Sequence, residues 1–265
     1  MTSNAEASDA RLTQMTEKMP RALGKSPLLE AIFELRFHAT VPNAGDLLPG
    51  LLFARLRGEY PDVQQLPAGT IPRNIREKDP NLTYQPTHRL AGQSRAVQVG
   101  DRVVSLTVSS PYPGWDNFKG AILQLLSTLG GTEVIREPER FSFRYINLIP
   151  MDSDRRQLAL LNVRTQWPNQ EFLERGFQLR FEREQREFIS IIQVTPQVTA
   201  KKVDGVISGL LIDVDTICAK PPRAFWEGEA NPLEDAHSLA KQTFYSLLTD
   251  STLASLEPVY DTTPR

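Results

Sequence analysis

Ser26–Phe37 reads SPLLEAIFELRF, and its alternation decides the architecture. Leu29, Ala31, Phe33, Leu35 and Phe37 fall on one side of an extended chain, with Glu30, Ile32, Glu34 and Arg36 on the other. Successive side chains of a strand point to opposite faces, so the segment predicts a strand with one apolar and one charged side. Strands of this kind belong to antiparallel sheets packed on a single face. The charged side is then either the wet side of a sheet or a working surface.

Working outward, NAGDLLPGLLFARLRGEY predicts a helix with Asn43 as N-cap and Leu47, Leu48, Leu51, Leu52 and Leu56 at helical spacing. Pro49 is tolerated only near its start. PDVQQLPAGTIPRNIREKDPNLTYQP has no periodicity and reads as a long surface connection. Strands resume over Tyr84–Leu90, Arg95–Val99 and RVVSLTVSS, with a hairpin turn at Gly100-Asp101. A second helix carries Trp115, Phe118, Ile122, Leu125 and Leu129 at intervals of three and four, and Gly130-Gly131 ends it.

The order then begins again. RFSFRYINLI alternates like the opening strand, MDSDRRQLALLNV suggests a short helix, and FQLRFERE, FISIIQVTP and SGLLIDVDTI supply three more strands. The last helix is expected from Asn231 as N-cap, with Pro232 in its first turn and Glu234 at the capping-box position. STLASLEP closes the chain as a turn. The fold class is therefore α+β, a curved antiparallel sheet with long helices on one face, built from two β-α-β-β-β-α halves. Its layout is like the saddle of TATA-binding proteins or a helix-grip fold, a likeness of architecture that says little of activity. The divisions are 1–24 as a disordered or loosely attached tail, 25–137 as the first half, and 138–265 as the second half packed on it. Met15 and Met19 leave a later start open.

Forty per cent hydrophobic and 23% charged residues suit a globular chain, and 265 residues can bury a large core. A net charge of −2 lacks the basic excess of a protein that lives on phosphate backbones, so nucleic acid is not the favoured partner. Cys218 is the lone cysteine, so no internal disulfide forms and a reducing, cytoplasmic setting fits. No apolar run reaches the roughly 18–20 residues of a membrane span. With three histidines, His38, His88 and His237, zinc has too few ligands, and neither metal nor cofactor is expected. No nucleophile elbow, P-loop or dinucleotide-binding glycine pattern is present.

SPLLEAIFELRF, RFSFRYINLI, LLIDVDTI and AHSLAKQTFYSLLTDSTL together resemble a sporadically distributed prokaryotic protein family of unknown function and about this length. Pro27, Glu30, Glu34, Arg36 and Phe37 carry the resemblance, followed by Arg144, Tyr145 and Asn147, then Asp213, Asp215, His237, Phe244 and Thr249. It spans most of the chain from Ser26, except roughly residues 64–93. It implies no catalytic roles, and its patchy spread hints at mobile or defence-linked genetic context.

The candidate ligand or partner face consists of Glu34, Arg36, Arg144, Arg180, Glu182, Asp213 and Asp215, all opposite apolar positions on predicted strands. Mixed charge favours a protein or a small polar molecule. Asp213 and Asp215 lie two apart on one strand, so their carboxylates share a face. Such a pair serves a structural ion pair with Arg144 or Arg180, or holds a divalent metal with Glu34 or Glu182 as third acid. Two loops, SSPYPGWDNF and CAKPPRAFWEGEANP, place Tyr112, Trp115, Arg223, Phe225 and Trp226 either as plugs of the core edge or as partner contacts. His237 falls on the inward stripe of its helix, as a core histidine bonded to a carbonyl. The expected function is a non-catalytic binding or adaptor protein, its protein partner encoded by a neighbouring gene, with self-association left open. The alternative is a metal-dependent phosphoryl-transfer or nucleic-acid-processing enzyme centred on Asp213 and Asp215.

Overall fold

The computed structural model describes residues 19–151, 157–163, 177–202, 205–226 and 230–260. Its strands are β1 (Ala22–Leu23), β2 (Leu28–Ala39), β3 (Asp62–Gln65), β4 (Pro86–Ala91), β5 (Arg95–Gly100), β6 (Val103–Ser109), β7 (Ile135–Pro150), β8 (Leu179–Gln185), β9 (Phe188–Lys202), β10 (Gly205–Cys218) and β11 (Pro258–Val259). Three long helices are α1 (Ala44–Leu56), α2 (Trp115–Gly130) and α3 (Asn231–Leu247). Nine strands form one open, curved antiparallel sheet in the order β3-β4-β5-β6-β2-β7-β10-β9-β8. No described helix is long and apolar enough to cross a membrane.

The strand order mirrors itself about the β2–β7 seam. Outward from β2 come β6, β5 and β4, and outward from β7 come β10, β9 and β8. In each direction the strands nearest the seam are the first and the last of their run. The register at the seam explains why the sheet has two chemically distinct faces. Ala31 lies opposite Tyr145, Phe33 opposite Phe143 and Leu35 opposite Phe141, while Ile32 meets Arg144, Glu34 meets Ser142 and Arg36 meets Arg140. Apolar sets therefore coincide on one side, and a slip by one residue would send all of them to the wrong face.

The helices cover the apolar side. Phe118, Ile122 and Leu129 of α2 are fully buried, as are Phe33, Phe141 and Phe143 beneath them. Each such side chain contributes roughly 1.5–3 kcal/mol by leaving water. Leu233 and Ala240 of α3 join that cluster, and Phe244 and Leu247 cap a second one over β9 and β10. Gly209 marks a bulge where β10 meets β9, and a Cβ there would sit 2.0 Å from the Ile149 carbonyl, so only glycine fits.

Several expectations change. In α1 the row Leu48, Leu52 and Leu56, spaced four apart on one face, is buried, but Leu47 and Leu51 are exposed. Asn43 precedes α1 without a side-chain cap, and Asn231 is the first helical residue of α3 and not its cap. The aperiodic connection contains a strand, β3, whose DVQQ is exposed throughout; an edge strand with two wet faces has no alternation to read. The same connection is pinned by Arg76, whose Nε lies 2.8 Å from Asp101 and whose Nη1 donates to the Ile71 carbonyl. Of the expected tail, residues 1–18 lie outside the described residues, whereas Ala22 and Leu23 pair with Val259 and Pro258. In MDSDRRQLALLNV, residues 152–156 lie outside the described residues and Gln157–Leu160 forms a single 3-10 turn. STLASLEP begins with a short helix, Asp250–Ser255, capped by Thr249.

Candidate functional site: a polar hollow on the charged face of the sheet

The face of the sheet away from the three long helices bears a hollow of about 790 Å³, floored by β4, β5, β6, β2, β7 and β10. Its floor is ordered by the pairing register. Arg89, Gln98, Ser105, Glu34 and Ser142 stand side by side on five consecutive strands, β4 to β7. A second row runs Ala96, Thr107, Ile32, Arg144 and Asp215. Alternation places these residues on the wet side, and antiparallel pairing makes them neighbours.

Charge in the hollow is organised by arginine. Glu34 accepts from Arg36 Nε at 2.8 Å and from Arg140 Nη2 at 3.0 Å, so one carboxylate holds two guanidinium groups. The Arg36 guanidinium lies 4.2 Å from the centre of the Tyr84 ring. Tyr84 donates to Glu139, which also accepts from Arg102 at 2.6 Å. Arg144 donates to both carboxylate oxygens of Asp213, from Nε at 2.9 and 3.0 Å and from Nη2 at 2.5 Å. This is the structural ion pair that the two-apart spacing allowed, formed diagonally, since Arg144 faces Asp215 in register.

Asp215 differs from its neighbour. Burial pushes its carboxyl up to about 6, and Glu34 adds to the rise, against a hydrogen bond from Ser142 and the charges of Arg140 and Arg144. Its Oδ1 is buried without a hydrogen-bond partner among the described residues, and so is Nε of Arg140. Among the described residues no three His, Cys, Asp or Glu gather as a metal site, and both oxygens of Asp213 are engaged by Arg144.

Of the predicted face, Glu34, Arg36, Arg144 and Asp215 line the hollow together. Asp213 lies buried behind Arg144. Arg180 and Glu182 share the face but stand on the edge strand β8, paired to each other at 2.7 Å and outside the lining. Sequence reading missed Arg89, Arg95, Gln98, Arg140 and Ser105 as members. The signal was available in part, because Arg140 sits four positions before Arg144 on one alternating strand.

The aromatic loops turn toward the core edge, the first of the two placements their sequence allowed. Phe225 is 1% exposed and stacks on Phe141 at 4.6 Å, closing the end of the core. Trp226, Tyr112 and Trp115 pack half-buried against the same cluster. The Arg223 side chain lies outside the described residues. Trp115 stacks on His237 at 3.9 Å, and its Nε1 donates to Glu234 at 2.7 Å. Glu234 also accepts from Lys119, so it ties α2 to α3 instead of boxing a helix start. His237 Nδ1 lies 2.8 Å from the Tyr145 hydroxyl, a phenol where a carbonyl was expected. Burial, helped by Lys241, lowers its imidazole to about 4. Cys218 is buried, and burial raises its thiol. No protein-family model and no curated protein matches the chain.

Proposed function

We propose that this is a non-catalytic binding or adaptor protein, whose polar sheet face holds a polar ligand or a charged segment of a protein partner. The observation that carries this reading is the set arginine array. Glu34 fixes Arg36 and Arg140, and Asp213 fixes Arg144, so the guanidinium groups stand in place before anything binds. Positions held beforehand reduce the entropy lost on association. The resemblance to a sporadic prokaryotic family points to the product of an adjacent gene as the partner. Co-purification of that product with the wild type and with Arg89→Glu/Arg140→Glu is the test, circular dichroism serving as the fold control. At least a tenfold loss of recovery is expected, and undiminished recovery by a folded variant removes the reading.

The rival, a metal-dependent phosphoryl-transfer enzyme centred on Asp213 and Asp215, draws on the unpartnered Asp215 Oδ1. It predicts binding heat with Mn²⁺ that disappears in Asp213→Asn. Equal heats in both proteins would leave these acids with structural work only.

A further inference from the structure

We infer that the hollow takes an extended acidic peptide segment lying across the strands; this rests on the binding reading above and names the partner's chemistry. The chain as a whole is slightly acidic, at −2, yet the lining holds five arginines, Arg36, Arg89, Arg95, Arg140 and Arg144, against three carboxylates. Those charges are unevenly settled. Arg36 and Arg140 share Glu34, and Arg144 is matched by Asp213. Arg89 and Arg95, on β4 and β5, have no salt-bridge partner among the described residues, although Arg95 hydrogen-bonds the Tyr60 hydroxyl. Positive charge is therefore in excess at the β4–β5 end, where Arg89 heads the row that continues through Gln98 and Ser105.

The dimensions select something long and thin. From β4 to β10 is five strand spacings, about 24 Å at roughly 4.8 Å each. An extended peptide covers that distance with about seven residues at roughly 3.4 Å each. The lining chemistry excludes the main competitor. Among the described residues no aromatic side chain lines the hollow, so they offer no platform for the stacked bases of a single-stranded nucleic acid. Instead the walls carry hydroxyls, among them Ser94, Ser105, Thr107 and Ser142, and the amides of Gln93 and Gln98. These groups both donate and accept, as the alternating N–H and C=O of a peptide backbone require.

The far end completes the match. Among the described residues Asp215 Oδ1 is a buried acceptor without a donor, and Arg140 Nε a buried donor without an acceptor, both in residues that line the hollow. A backbone amide or a seryl hydroxyl supplies the first, and a carbonyl or carboxylate supplies the second. A bound segment would thus be acidic over β4 and β5 and hydroxyl-bearing or uncharged near β10.

The test is fluorescence anisotropy on the full chain with labelled (Glu-Ser)4, compared with (Gln-Ser)4, (Lys-Ser)4, oligo(dT) and a sulfated hexasaccharide. The acidic peptide is expected to bind at least tenfold more tightly than the other four. Its affinity should fall at least tenfold in Arg89→Ala/Arg95→Ala, with circular dichroism as the fold control because Arg95 also hydrogen-bonds the buried Tyr60 hydroxyl. Preference for oligo(dT) or the sulfated sugar, with the same arginine dependence, would overturn the peptide while the binding reading stood. Equal affinity for (Glu-Ser)4 in wild type and double variant would overturn it as well. Absence of all binding, together with unchanged recovery of the neighbouring product by Arg89→Glu/Arg140→Glu, would remove both.

Discussion

Replacing Asp215 by Asn should make the protein more stable at neutral pH, and the gain should vanish in acid. The native carboxyl titrates at about 6 against 3.8 for an unperturbed group, chiefly because burial disfavours its charge. Between those values the native state holds a proton that the unfolded chain has released, so stability falls as pH rises, to a plateau above about 6. At about 1.4 kcal/mol per pH unit the cost at pH 7 is about 3 kcal/mol. His237 works in the opposite sense over the same window. Its imidazole is lowered to about 4 from 6.5, first by burial and then by Lys241, with Lys119 adding and Glu234 opposing. There the unfolded chain binds the extra proton, so stability rises with pH from 4 to 6.5, by about 3 kcal/mol. The two contributions nearly cancel in the wild type. Urea unfolding from pH 4 to 8 should show the Asn variant equal to wild type near pH 4 and about 3 kcal/mol more stable at pH 7.5. Taking the difference removes every other titrating group. His237→Gln should tilt the profile the other way, with stability declining as pH rises. A difference between Asp215→Asn and wild type that does not change with pH would refute the reasoning, because a buried, partly protonated carboxyl cannot give one.

Phe225→Ala removes a ring that is stacked on Phe141 and almost wholly buried. It should cost about 3 kcal/mol or more in urea unfolding, while leaving binding of (Glu-Ser)4 within twofold. Lost binding with unchanged stability would instead return the loop to the role of a contact. Arg144→Ala strands Asp213, whose side chain is 6% exposed, without its bidentate partner. Since Arg144 itself is half in water, the loss should be about 1–3 kcal/mol, and Arg144→Ala/Asp213→Ala should cost less than the sum of the two single changes. Strict additivity in that cycle would deny the coupling.

The legible part of this fold is what a period of two records. Leu35 and Glu34 announce their faces without knowledge of any neighbour, and Asp213 and Asp215 share a face as their spacing demands. What the period cannot record is which strands stand together. Arg89 becomes part of the site only because β4, β5 and β6 line up beyond β2, so that Gln98 and Ser105 connect it to Glu34. Likewise, nothing local says whether Asp213 or Asp215 takes Arg144; the diagonal contact depends on the β7–β10 register. The aromatic loops left two placements open for a different reason. Phe225 and Trp226 sit in a Pro- and Gly-rich segment, which marks a loop, but burial there depends on the distant Phe141 on which Phe225 stacks.

The seam also bears on what can bind. Phe33 and Phe143 face each other, and equating them maps Glu34 onto Arg144, and Ser105, opposite Glu34, onto Asp215, opposite Arg144. Topology repeats across that axis, but charge inverts: a carboxylate stands where its counterpart is a guanidinium, and a hydroxyl where its counterpart is a half-buried acid. A hollow built on a repeated frame with unlike ends cannot favour a ligand that reads the same in both directions. A peptide has direction in its backbone and, where acidic residues are confined to one end, in its side chains too. Reversing the order of an acidic and a seryl block in one labelled octapeptide should therefore change its affinity severalfold, and identical affinities for the two orders would mean that the inverted charges at Glu34 and Arg144 are not sensed.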